Sequence, residues 1–560
     1  MRQLPVFFIA LSLMLWSCGP EQAPILRFDH AAVVSAHPLA SEVGASILKA
    51  GGNAVDAAVG VHFALAVVFP QAGNIGGGGF LVTRDEHGAA HSIDFREKAP
   101  AAAFREMYLD EFGEVIPDLS WKGHLAVGVP GSVAGMWAAH DSLGSLPWAD
   151  LLQPAIDLAA LGFALTAKEA EALNEKIDRF RTYNTRPALW WEKDVWQAGD
   201  SIHLPDLART LSYIRDLGPA GFYQGPVADS MIAEMQRGQG IMTHEDLLAY
   251  DAQWREPLRG SYRDCEVISM GPPSSGGVAL LQLLELVEPF PLSSYGFHSA
   301  EAVHLMVEAE RRVYADRAKH LGDPDFWPVP VAGLLQPAYL QERMKSFSEN
   351  AATPSDSIFA GNPLVLESTE TTHYSIIDAQ GRAVSVTTTL NGGYGSGVLV
   401  GGAGFFLNNE MDDFSAKPGV PNAYGLLGAE ANAIEPGKRM LSSMTPTIVT
   451  RHDSLLMVVG TPGGSTIITS VFQNIINIVD FNMGMNVSVS APRFHHQWRP
   501  DQIDYEKDAF DPKVIQVLEN MGHKLSIRGP IGRVDAILVL PGGSLSPGAD
   551  PRGDDWSSGY

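Results

Sequence analysis

Apolar and polar positions alternate most clearly over residues 372–377 and 383–390, two runs rich in β-branched and aromatic residues that read as strands. Between them Asp378-Ala379-Gln380-Gly381 is a turn signal closed by glycine. If Asp378 pairs with Arg382, cross-strand partners sum to 760 and Thr371 lies opposite Thr389. Thr372, Tyr374 and Ile376 then share a mostly apolar face with Val384, Val386, Thr388 and Leu390. Thr371, His373 and Ser375 share a polar face with Ser385, Thr387 and Thr389. A bulge would shift the register by one and exchange the faces. Taken alone, a threonine-rich hairpin is structural.

The same reading along the rest of the chain predicts a mixed α+β class. Residues 38–68 read as two alanine-rich helices around Gly51-Gly52-Asn53, with small residues suited to close packing. The glycine run 76–79 lacks the Lys-Ser/Thr of a phosphate loop and the spacing of a dinucleotide fingerprint. It reads as a turn where backbone passes close to another element. Paired strands are expected at 80–83 and 91–96, helices over most of 146–260, a strand at 263–270 and an amphipathic helix over 299–320. Further strands are expected at 404–408, 446–450, 455–460 and 534–540, with a helix near 465–480. No internal repeat is visible.

Composition narrows the function. The chain has 560 residues, 45% hydrophobic and 18% charged, with a formal charge of −25. It carries no Lys/Arg-rich run, so phosphate-backbone binding to nucleic acid is excluded as a main role. Arg2 followed by the apolar run Leu4 to Trp16 is a signal segment, ending at Leu15-Trp16-Ser17-Cys18-Gly19. That ending resembles the bacterial lipoprotein box, with Cys18 lipidated and Trp16 a departure from the usual small residue; plain signal cleavage is the alternative. An exported, periplasmic protein anchored through Cys18 is the expectation. Cys265 would then have no partner and reads as a small buried hydrophobe.

Candidate chemistry centres on Thr371. A threonine hydroxyl needs a base beside it, and cleavage at Glu370-Thr371 would create one, the new α-amine with a pKa of about 8. Residues 345–370 form a polar stretch leading into this point. Asn409-Glu410-Met411-Asp412-Asp413 clusters acids after an apolar run, and could hold an ammonium or calcium; spacing alone favours a solvated loop. Ser442 and Ser443 precede a strand and could bind a carboxylate or serve as turn residues. Thr461-Pro462-Gly463-Gly464-Ser465 lies between a strand and a helix, where adjacent N–H groups suit an oxyanion or an ordinary turn. His495-His496 lacks zinc-site spacing and reads as structural, and no Gly-x-Ser-x-Gly elbow is present.

Taken in order, several blocks resemble the γ-glutamyltransferase (γ-glutamyltranspeptidase) family over nearly the whole chain. They are 52–58, 74–80, 127–132, Thr371-Thr372-His373-Tyr374-Ser375, 408–414, Leu441-Ser442-Ser443-Met444 and 460–465. The resemblance implies an N-terminal-nucleophile hydrolase fold, a four-layer αββα sandwich of two stacked sheets between helical layers. Together with the signal segment read at 1–18, it implies a large subunit 19–370 and a small subunit 371–560, formed by autocleavage and held together as a heterodimer. Thr371 would be the nucleophile and Thr389 its hydrogen-bonding neighbour. Asn391, Glu410 and Asp413 would hold the α-amino group of a γ-glutamyl donor, and Arg96, Ser442 and Ser443 its α-carboxylate. Gly463 and Gly464 would form the oxyanion hole, and residues 418–433 around Tyr424 a lid. Water, an amino acid or a peptide would accept the acyl group, with no cofactor or metal. A glutaryl (cephalosporin) acylase on the same fold and a non-catalytic surface lipoprotein are the competing readings.

Overall fold

A computed structural model describes residues 26–361, 372–417 and 430–560. Thr371, Glu370, Tyr424, Cys18 and the signal segment lie outside them, and of the lid segment only 430–433 is inside. Among the described residues two large antiparallel sheets stack face to face. The first runs Trp556–Gly559, Ala32–Ser35, Thr372–Ile377, Ala383–Thr389, Gly78–Arg84, Ala90–Asp94, Gln253–Arg255. The second runs Leu545–Gly548, Asp535–Val539, Ser454–Gly460, Thr447–Arg451, Cys265–Ser269, Leu258–Tyr262. Helices Pro38–Lys49, Ala54–Val68 and Ser132–Leu143 cover the first sheet; Gly276–Val287, Thr466–Val479 and Met485–Ser490 cover the second. The order of layers is therefore helix, sheet, sheet, helix.

The predicted hairpin register holds. Thr372 pairs with Thr388, His373 with Thr387 and Tyr374 with Val386, while Asp378 N–H donates to Arg382 O at 3.1 Å. Its apolar face, with Tyr374, Ile376, Val384 and Val386, packs into the core shared with the first helical layer. Its polar face is not solvated: it is pressed against the second sheet. Ser375 Oγ donates to Asp535 O at 3.0 Å, and Ser385 Oγ accepts from Thr447 N at 3.0 Å. His373 bridges the hydroxyls of Thr387 and Ser375 at 2.9 and 3.0 Å, and burial lowers its pKa to about 3, so it stays neutral. Buried hydroxyls are tolerated here because Ser375 and Ser385 find partners in the facing sheet and Thr387 finds one on the His373 imidazole. Val34, Phe80, Val82, Ile448, Val458 and Ile537 supply the apolar part of the same interface.

The helix at Ala54–Val68 anchors the far end of this hairpin. Asn53 and Asp56 form a reciprocal capping box, with Asn53 Oδ1 accepting from Val55 N and Asp56 N at 2.8 and 3.0 Å. Ala54 N donates to Asp378 Oδ2 at 3.0 Å, which ties the hairpin turn to the helix start. No helix among the described residues is long and apolar enough to cross a membrane.

Some expected elements differ. The strand expected at 404–408 is an irregular segment with one bridge, Leu399 to Phe406, because Gly402 and Gly404 turn the backbone at φ 87° and 84°. Residues 253–255 and 258–262, read as the end of a helical region, are strands, one in each large sheet. The helix Ala300–His320 is buried on nearly every side rather than amphipathic; its charges pair internally, as Arg312 Nη1 does with Glu308 at 2.6 Å. Cys265 is buried and unpaired, as expected.

Candidate active site

The first position after the described hairpin strand, going toward the N-terminus, is Thr371. The expected pairing of Thr371 with Thr389 lies outside the described residues, where the last described pair is Thr372 with Thr388. The end of the Thr389 strand is held unusually closely. A Cβ on Gly77 would stand 2.0 Å from Thr389 O, so only glycine permits this approach. Asn74 completes the clamp: its Nδ2 donates to Thr389 O at 2.9 Å and to Thr388 Oγ1 at 3.2 Å. Its Oδ1 accepts from Gly77 N at 3.0 Å and Ser132 Oγ at 2.6 Å. The glycine run is thus the close-approach turn that its sequence predicted, and Asn74 is a positioning residue the residue-by-residue reading did not single out.

Past Thr389 the chain turns sharply. Asn391 adopts φ 69°, and its N–H donates to Thr389 Oγ1 at 2.7 Å. Asparagine tolerates this left-handed conformation better than most residues. Its side chain donates to Asn409 O at 3.1 Å, and Asn409 Oδ1 accepts from Gly392 N at 2.9 Å. Asn408 extends the staple: its side chain donates to Gly76 O and Gly128 O and accepts from Glu410 N at 3.1 Å. These bonds hold the acidic turn Glu410–Asp413 beside the hairpin end.

That turn corrects the expectation of a solvated loop. Glu410, Asp412 and Asp413 are all buried. Arg96, itself 1% exposed, reaches Glu410 at 2.7 Å, donates to Asp413 Oδ2, and lies 3.4 Å from Glu97. Its Nε and Nη2 also donate to Met440 O and Leu441 O at 3.2 and 3.1 Å, the backbone just before Ser442. Burial alone would lower the Arg96 pKa, but Glu410, Asp413 and Glu97 outweigh it and hold it above its ordinary value. Burial pushes Glu410 well above the usual carboxylate range against the pull of Arg96 and of the nearby Thr389 hydroxyl. Burial likewise raises Glu97 to about 8. Two of the three acids therefore tend to hold protons. One guanidinium faced by three carboxyl groups offers groups of both charge types to a zwitterionic ligand.

Ser442 and Ser443 are buried in the same region. Ser442 Oγ accepts from Met444 N at 3.2 Å, and Arg317 Nη2 donates to Ser443 Oγ at 2.5 Å. Arg317 comes from the long buried helix and was not anticipated; its position depends on how that helix crosses the second sheet. Gly463 and Gly464, at φ 135° and 65°, link the strand Ser454–Gly460 to the helix Thr466–Val479. Among the described residues neither N–H has an acceptor, while both carbonyls take up helix-start N–H groups. Two adjacent unengaged donors are what a developing oxyanion requires.

A cavity of about 320 Å³ opens here, lined by Thr372, Asn391, Gly393, Pro462, Gly463 and Gly532 together with Phe69, Gln71, Ala72, Pro530, Arg533 and Arg552. Asn391 and Gly463 thus share one cavity, and Thr389 links its edge to the closed Arg96 cluster. His495 and His496 lie elsewhere, bonded to Thr469, Gln497 and Asp501. Residues 430–433, the described end of the segment expected to act as a lid, are joined to the acids: Ser415 N donates to Asn432 O at 3.0 Å, and Asn432 Nδ2 to Asp413 O at 2.6 Å.

Similarity to known proteins agrees with this geometry. Residues 40–560 match the family model described as Gamma-glutamyltranspeptidase. A glutathione hydrolase proenzyme of Pseudomonas aeruginosa is 48% identical over 556 residues, covering 98% of each chain. That of Escherichia coli K12 is 45% identical over 540 residues, 96% of this chain and 93% of its own. The crystal structure of a cephalosporin acylase from Bacillus halodurans superposes with a TM-score of 0.86 at 28% identity, over 99% of both chains. With helix, sheet, sheet and helix stacked as in an N-terminal-nucleophile hydrolase, and with the family model spanning all but the first 39 residues, the chain belongs to the gamma-glutamyltranspeptidase family.

Proposed function

We propose that the chain cleaves itself at Glu370-Thr371 and then transfers the γ-glutamyl group of glutathione and related donors to water, amino acids or peptides. The single observation that carries this reading is the convergence at one hairpin end. Thr389, beside Glu410 and through it joined to Arg96 and Asp413, is the neighbour this reading gives to Thr371. Gly463 lines the cavity that Asn391 also lines, and among the described residues its N–H and that of Gly464 are unengaged. In this reading Thr371 Oγ attacks the γ-carbonyl while the α-amine takes its proton. Gly463 and Gly464 hold the oxyanion, and the proton passes to the departing amine. An acceptor then attacks the ester and the hydroxyl is restored.

Donor recognition requires an exchange of partners. The donor's α-ammonium takes Asp413, Glu410 and the Asn391 carbonyl oxygen, and its α-carboxylate takes Arg96, Ser442 and Ser443. Each charge leaves one ion pair for another, so desolvation is met by a new partner. An acylase acting on glutaryl groups has no ammonium to place, so buried acids at 410 and 413 favour the γ-glutamyl reading. The residues 19–370 and 371–560 would remain together as two subunits. Cys18 would carry a lipid that anchors the exported protein at the periplasmic face, and residues 418–433 with Tyr424 would cover the acyl-enzyme.

Intact masses under denaturing conditions, taken with release of p-nitroaniline from its γ-glutamyl derivative, test this directly. Two fragments, the smaller beginning at Thr371, and turnover of the anilide are expected. One uncut, inactive chain overturns the reading.

A further inference from the structure

We propose that Arg533 is a specificity-determining residue on the acceptor side, taking the carboxylate of the amino acid or dipeptide that leaves from or attacks the acyl-enzyme. The inference rests on the function proposed above and deepens it. Arg533 follows Gly532, whose Cα would stand 3.1 Å from a Cβ on Gly463, so the two turns are in contact. Arg533 N donates to Thr461 Oγ1 at 2.7 Å, which fixes its backbone to the start of the oxyanion turn. The side chain therefore begins within one residue of the proposed reaction centre. A dipeptide spans about 7 Å when extended, enough to reach from an acyl carbon near Gly463 toward this side chain.

The guanidinium is held by one edge and open at the other. Nε donates to Asp555, Nη2 donates to Ala36 O at 2.7 Å, and the group sits 4.9 Å from the Phe69 ring centroid. Nη1 has no acceptor among the described residues. Arg533 lines both the main cavity and the groove that adjoins it. Its neighbour Arg552 lines the same two spaces but is fully engaged. Nε and Nη2 bind Glu506, Nη1 binds Asp550 and Val489 O, and Nη2 also binds Ala491 O. Of two adjacent guanidinium groups, only Arg533 offers N–H donors to a ligand. A pre-fixed guanidinium with an open edge recognises a carboxylate at little entropic cost. Arg533 touches no reacting atom. The acceptor nitrogen bonds to the acyl carbon as the ester C–O bond breaks, and the proton it loses goes through the Thr371 α-amine to Thr371 Oγ.

The test compares glycylglycine with glycylglycinamide as acceptors, using γ-glutamyl-p-nitroanilide as donor, for the wild type, Arg533→Gln and Arg533→Lys. The wild type should prefer the acceptor bearing the carboxylate. In Arg533→Gln the ratio of the two kcat/KM values should fall about tenfold, as expected for loss of a charge-assisted pair, mainly through KM. Arg533→Lys should recover part of it. A purely structural role would depress both acceptors together and leave the ratio intact, which overturns the proposal. A wild type that treats both acceptors alike overturns it without any variant. A wild type that releases no p-nitroaniline at all refutes the donor reading instead, and the acceptor assignment falls with it.

Discussion

Replacing Asp413 by asparagine isolates the charge that the donor's ammonium is proposed to meet. The substitution keeps volume and shape, and Asp413 is buried against Arg96, so the change is electrostatic. Removing one partner of a desolvated charge pair costs about 2–5 kcal/mol. The asparagine carbonyl still accepts a hydrogen bond, which returns about 1 kcal/mol. A net loss of about 1–4 kcal/mol corresponds to about 5- to 900-fold in kcat/KM for γ-glutamyl-p-nitroanilide. The loss should fall mainly on KM, because the ammonium is bound alike in ground and transition states. Glutaryl-p-nitroanilide lacks the ammonium, so its turnover should fall far less and the preference between the two donors should narrow. Intact mass and thermal unfolding of Asp413→Asn verify that cleavage and folding survive. A cleaved, stable variant with unchanged KM for the γ-glutamyl donor refutes the ammonium role.

Thr371→Ala should yield a single uncut, inactive chain by mass spectrometry; normal subunits in that variant would exclude Thr371 as the cleaving nucleophile. Asn74→Ala orphans buried groups including Thr389 O and Gly77 N, at about 1–3 kcal/mol each, so denaturant midpoint and cleavage rate should both drop. An unchanged midpoint would contradict the clamp. Glu97 carries a folded pKa of about 8 because burial opposes its charge, so the folded protein keeps a proton that the unfolded chain releases near pH 4.5. Stability from this group is complete below that pH and declines as pH rises toward 8; Glu97→Gln should flatten the decline, and an identical slope in the variant would count against it.

Much of the site's outline was legible from the order of residues alone. Hairpin register follows from strict alternation and a closing glycine, which is why Thr372 meets Thr388 as expected. Helix starts were legible where a capping pair such as Asn53 and Asp56 sits three residues apart. The class of chemistry followed from motif blocks in order, each local in sequence. What residue spacing by itself did not give was burial across long separations. Glu410 and Asp413 looked solvated because spacing carries no information on what covers a loop, and Arg96, more than 300 positions away, is their partner. The strands at 253–255 and 258–262 are short edge pieces whose periodicity is too brief to outweigh the helices before them. Arg317 and Arg533 reach the site only because two sheets stack and their connecting turns touch, an arrangement decided by inter-sheet packing of residues such as Phe80, Val458 and Ile537. Local pattern determined the elements and the reactive residue types; only the tertiary structure decided which charges lose water together, and hence what the pocket can bind.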